Sequence, residues 1–135
     1  MSLLDFFSKK QHLQVTGKEL TALQHFGAMM ASADGRVDDS EYYVLSKELM
    51  RFGVTEEQLP VLLNASEKMT HAEALRVISS MNEVQKKYAA AYLGTILGID
   101  GDINDKELAL WAMVSTLCGL PKMSVSDAIK YMDSL

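Results

Sequence analysis

Apolar residues recur every three to four positions through most of the chain, and no stretch alternates with period two over a strand's length. Leu20, Leu23, Phe26, Gly27 and Met30 share one helical face. Thr16-Gly17-Lys18-Glu19 just ahead of them is a capping box, in which the hydroxyl accepts a helix N–H and the glutamate reaches back. This helix is expected to run to about Ser32 or Ala33. A second begins near Asp39, carries Tyr42, Leu45, Leu49 and Phe52 on one side, and ends at Gly53. Thr55 to Gln58 forms another box, opening a short helix through Leu62 and Leu63. Pro60 would cost a backbone hydrogen bond there, which predicts a tighter turn before it. Thr70 to Glu73 opens a helix with Leu75, Val77 and Ile78. From Asn82 or Glu83 a longer one carries Tyr88, Tyr92, Leu93, Ile96 and Leu97. The next presents Leu108, Trp111, Ala112, Ser115 and Cys118, is stopped by Gly119, and is kept stopped by Pro121. Ser124 or Ser126 caps a final helix to Leu135. Ahead of all these, Ser2 to Lys10 reads as a short amphipathic helix with Leu3, Leu4, Phe6 and Phe7 apolar.

The chain is therefore expected to be all-α, a compact domain of seven to eight helices over residues 1–135. It also contains a repeat. Asp34-Gly35-Arg36-Val37-Asp38-Asp39-Ser40-Glu41 and Asp100-Gly101-Asp102-Ile103-Asn104-Asp105-Lys106-Glu107 both read Asp-Gly-x-(Val/Ile)-x-Asp-x-Glu, 100 − 34 = 66 residues apart. Gly53 and Gly119, Leu45 and Trp111, and Phe26 and Tyr92 keep the same offset. Two pseudo-repeated helix–turn–helix halves follow, about 16–54 and 82–120, with two copies too few for a solenoid.

Much of the motif serves as turn structure. Gly35 and Gly101 fit helix stops, and Asp38 with Glu41 and Asn104 with Glu107 fit capping boxes. Asp34 and Asp100 fit that role less well, because a negative charge at the end of a helix faces the negative end of its dipole. Carboxylates beside free backbone carbonyls form the oxygen-rich set that hard cations take. Asp34, Glu41, Asp100 and Glu107, with Asp38 and Asp105, are the candidate metal ligands. They favour calcium, magnesium or manganese over zinc. The motif is also similar to the second half of an EF-hand loop, but its first and third places hold Met30 and Ser32, or Ile96 and Gly98, instead of acids.

Residues Ala31 to Glu41 resemble the signature of the TerB family (tellurite-resistance protein B and its relatives): Ala-x-x-Asp-Gly-x-(Val/Ile), then a glutamate four residues on. Asp100 to Glu107 resembles that family's second acidic motif, and the resemblance covers about residues 15 to 135. It implies a bacterial, all-helical bundle whose acidic residues bind divalent metal. It further implies a place in stress response or tellurite resistance, with protein partners and at times closeness to the inner membrane. A protein-interaction module whose acidic motifs are only caps and turns is the alternative.

Composition narrows the chemistry. With 48% hydrophobic and 23% charged residues the chain has the makeup of a folded globular domain. A net charge of −5 without a basic stripe argues against nucleic acid. Cys118 is the single cysteine, which excludes an internal disulfide and fits a reducing compartment, so the cytoplasm is the expected location. Met1 to Lys10 lacks the order of a signal peptide, and no apolar run is long enough to span a membrane. Peripheral membrane association through that segment and homo-oligomer formation both stay open. No His-Glu-x-x-His, Gly-x-Ser-x-Gly, Cys-x-x-Cys or phosphate loop occurs, and His12, His25 and His71 lie far apart, so no enzyme activity is expected.

Overall fold

Reciprocal hydrogen bonds fix where the first helix starts. Thr16 N–H donates to Glu19 Oε1 (2.9 Å) and Glu19 N–H donates to Thr16 Oγ1 (3.1 Å). The same pair of bonds recurs 66 residues later, between Asn82 and Gln85, at 2.9 and 2.8 Å. In this computed structural model the described residues are 13–31, 39–98 and 105–135, with the side chains of 39–44 excepted. They form seven helices and no strand: α1 (Gly17–Ala31), α2 (Asp39–Arg51), α3 (Leu59–Lys68), α4 (His71–Ser79), α5 (Glu83–Gly98), α6 (Asp105–Cys118) and α7 (Val125–Asp133). The fold is all-α, and the helix expected over Ser2 to Lys10 lies outside the described residues.

The duplication extends past the motif and past the expected halves. Gly53 (φ 92°) and Gly119 (φ 67°) both take the left-handed conformation that ends a helix without a Cβ clash. Val54 N–H returns to Leu49 O at 3.2 Å, and Leu120 N–H returns to Ser115 O at 2.9 Å, again 66 residues apart. The next helix obeys the offset too, since α3 begins at Leu59 and α7 at Val125. Each half is thus three helices, α1–α2–α3 and α5–α6–α7, with α4 joining them.

Two expectations about element ends are corrected, the tighter turn expected before Pro60 is present at residues 56–58, and one of the two serines offered as the last cap is selected. The Thr55–Gln58 bonds do form, at 3.0 and 3.2 Å, but they close a separate turn, and α3 begins after it at Leu59. Pro60 lies inside α3, in its first turn, where its missing N–H would have had no helical partner, so it costs nothing. Ser124, not Ser126, caps α7 by accepting from Asp127 N–H at 3.0 Å. The face of α6 is corrected as well. Glu107, Val114 and Cys118 are buried, whereas Leu108 and Ala112 are exposed.

The core runs between α1 and α5. Phe26, Met30, Tyr88, Leu93, Ile96 and Leu97 are each 1% exposed or less. Helices α5 and α7 approach so closely that a Cβ on Gly94 would fall 2.8 Å from that of Ala128. Gly94→Ala is therefore expected to destabilise the fold, because overpacking costs about 1–3 kcal/mol and outweighs the ~1 kcal/mol that alanine gains in a helix. Urea denaturation followed by circular dichroism measures the difference. Among the described residues no helix is long and apolar enough to cross a membrane.

Candidate functional site

The direction of α5 relative to α1 decides where the acidic segments start. Gln85 Nε2 donates to Glu19 Oε1 (3.2 Å) near the start of both helices. Further along, the Tyr92 hydroxyl donates to Gln24 Oε1 (3.4 Å), and Ile96 lies over Gly27. Both numbers rise together, so α1 and α5 run parallel. Their last residues, Ala31 and Gly98, lie at one end of the molecule, and segments 32–38 and 99–104 both leave from it. Helix α6 runs back against α5, with Trp111 beside Gly94 and Gly119 beside Lys86. This brings the first turn of α6 to the same end.

Of the six candidate ligands, the structure describes the side chains of two. Asp105, the first residue of α6, is exposed, and Glu107 is 3% exposed. Asp34, Asp38 and Asp100 lie outside the described residues. Glu41 lies in α2 with its side chain also outside them. Among the described residues no group of three His, Cys, Asp or Glu side chains is placed to hold a metal ion. Met30 and Ile96, at the first EF-hand place of each copy, are 0% and 1% exposed in the core, so neither copy is built as a standard EF-hand.

A buried carboxylate needs charge-assisted partners, because desolvation penalises the ion. Glu48 on α2 is a second buried carboxylate among the described residues, and Tyr88 and Arg51 hold it. The Tyr88 hydroxyl donates to Glu48 Oε2 at 2.6 Å, and Arg51 donates to both carboxylate oxygens at 3.0 and 3.2 Å. Burial, then the charge and hydrogen bond of Glu48, hold the Tyr88 hydroxyl protonated far above its ordinary range. Burial and the same charge do so for Tyr92. The unfolded chain releases these protons above about pH 10, while the folded chain keeps them. Stability is thus complete below that pH and falls as pH rises through it, by about 1.4 kcal/mol per pH unit for each tyrosine. Thermal melts in increasingly alkaline buffer are expected to show this fall, and Tyr92→Phe to make it shallower by one tyrosine's share.

A second polar cluster joins α1, α3 and α4. His25 Nδ1 donates to Ser66 O (2.7 Å), and His25 Nε2 shares a hydrogen bond with His71 Nδ1 (2.7 Å). These histidines are 46 residues apart, and only the fold brings them together. Cys118 is 2% exposed and its S–H donates to Leu75 O at 3.6 Å. Burial pushes its thiol pKa up, against smaller opposing effects of Ser79 and Lys86, so it is a packing residue and not a nucleophile.

No family model matches the chain, and no curated protein does. A crystal structure of a protein of unknown function, PG1108 from Porphyromonas gingivalis W83, is similar to it. The two share 46% sequence identity and a TM-score of 0.77, over 91% of this chain and 99% of that one.

Proposed function

This chain belongs to the same family as that Porphyromonas gingivalis protein of unknown function, and from its own residues we propose a non-enzymatic, TerB-like domain that binds divalent cation. Asp34 and Glu41 from one half and Asp100 and Glu107 from the other supply the oxygen ligands, with Asp38 and Asp105 beside them. The observation that carries the reading is Glu107. It is a carboxylate buried in the first turn of α6, next to an acidic segment, where an exposed capping glutamate would suffice for structure alone. The parallel course of α1 and α5 supports one composite end over two distant sites. Calcium, magnesium and manganese suit such an all-oxygen set. A role in bacterial stress response or tellurite resistance, with protein partners in the cytoplasm, belongs to the same proposal.

Calorimetric titration of metal-stripped protein with Ca²⁺, Mg²⁺, Mn²⁺ and Zn²⁺ tests it. Saturable binding by the hard cations is expected, with at least a tenfold loss in the Asp34→Asn/Asp100→Asn double variant and an unchanged circular dichroism spectrum. An unaltered double variant would leave an interaction module whose acidic motifs are caps and turns. The apolar outer face of α6 favours that second reading.

A further inference from the structure

Helix α6 turns Trp111, Val114 and Cys118 toward the core. Outward it shows two adjacent i, i+4 rows, Leu108–Ala112–Thr116 and Ala109–Met113–Leu117, and all six residues are exposed. Leu108, Met113 and Leu117 are 46%, 47% and 58% exposed, and Thr116 is the only polar side chain among the six. A continuous apolar strip on the outside of a helix marks a place for another surface. The order of its residues says which surface fits. A two-fold interface needs a patch that matches itself turned end for end. Turning α6 about the midpoint between Ala112 and Met113 exchanges its two rows. Leu108 then meets Leu117, Ala109 meets Thr116, and Ala112 meets Met113. Leucines close both edges, small residues meet between them, and the long methionine falls on an alanine. Rows in the i±4 direction are those that interdigitate when two helices cross at about −50°.

We propose that two copies of this chain associate through the outer faces of α6, packed antiparallel about a two-fold axis at Ala112 and Met113. The charges at the ends of the helix match under the same rotation. Asp105 is exposed in the first turn of α6 and is carried to the C-terminal end of the second copy's helix. That end is basic. Lys86 places its Nζ 3.6 Å from where a Cβ on Gly119 would lie, and exposed Lys122 follows. Lys106 is the other exposed charge in the first turn. It comes beside the terminal carbonyls of a helix that has no basic residue in its own last turn, where a cation is favoured. Six side chains on one helix cover less than the ~800 Å² per partner of a standard stable interface, so the dimer is a weak one that forms at high protein concentration. It neither uses nor requires the proposed cation site.

Sedimentation equilibrium of the full chain in buffer with a metal chelator, from about 10 μM to about 1 mM, reads the association. The mass is expected to climb from the 15.0 kDa monomer toward twice that value. Leu117→Asp is expected to weaken the dimer by about tenfold or more, with its circular dichroism spectrum unchanged. Asp105→Lys and Lys86→Glu each set like charges across the two-fold axis, and each is expected to weaken the dimer on its own. Mixing these two variants restores opposite charges at both ends and is expected to restore association. A monomer throughout the range, or a dimer indifferent to Leu117→Asp, overturns the proposal. A dimer that each charge change weakens and mixing does not rescue overturns the antiparallel arrangement, and the proposal with it.

Discussion

Replacing Phe26 by alanine is expected to remove about 3–5 kcal/mol of folding stability, the range for deleting a fully buried aromatic ring. Phe26 is 1% exposed, edge-on to His25 at 5.1 Å and stacked near His71 at 6.3 Å. Its loss strips packing from α1 and from the histidine pair that ties α1 to α3 and α4. Domains of this kind hold only about 5–15 kcal/mol in total, so the variant is expected to be partly unfolded near body temperature. Phe26→Leu keeps most of the volume and is expected to cost less than half as much. Urea denaturation followed at the helical circular dichroism band measures both. Equal costs would show that ring contact with the histidines, and not volume, dominates at this position.

Glu48→Ala is expected to cost about 2–3 kcal/mol, although it removes a charge from the core. Two partners lose an acceptor, and they differ in what replaces it. The Arg51 side chain is 31% exposed and turns to water. The Tyr88 hydroxyl is buried and has no such exit, so its unmade hydrogen bond carries most of the cost. Glu48→Gln keeps an acceptor for Tyr88 and is expected to lose about half as much. Because Glu48 contributes to holding Tyr88 and Tyr92 protonated, Glu48→Ala also weakens the alkaline destabilisation, which denaturation at two pH values measures.

The helices were legible because their ends carry local chemistry. Thr16–Glu19, Thr70–Glu73, Gly53 and Gly119 each act within four residues, and the structure shows each acting. The third helix of each repeat was not legible as a repeat. Gln58 gives α3 no side-chain cap while Ser124 caps α7, so the two starts look unrelated in sequence. The α6 face was misread because a helix apolar all round offers no contrast from which to choose an inner side. Buried polar residues did leave a signal that apolar counting passes over. Glu48 falls in the stripe of Leu45, Leu49 and Phe52, and Glu107 falls in that of Trp111, Val114 and Cys118. A charge at a core position of a helical period marks a buried partner or a ligand. The His25–His71 contact left no such trace, since nothing local links residues 46 apart.

The parallel course of α1 and α5 makes the cation reading geometric as well as chemical. Ala31, Gly98 and the first turn of α6 share one end, and the Thr16–Glu19 and Asn82–Gln85 capping boxes occupy the other. The most direct measurement is an amide NMR titration of the metal-stripped protein with Mn²⁺, whose unpaired electrons broaden nearby signals. The account predicts that the last turns of α1 and α5 and the first turn of α6 broaden together with a single midpoint, while both capping boxes stay sharp. No broadening, or broadening centred on the capping-box end, would contradict it.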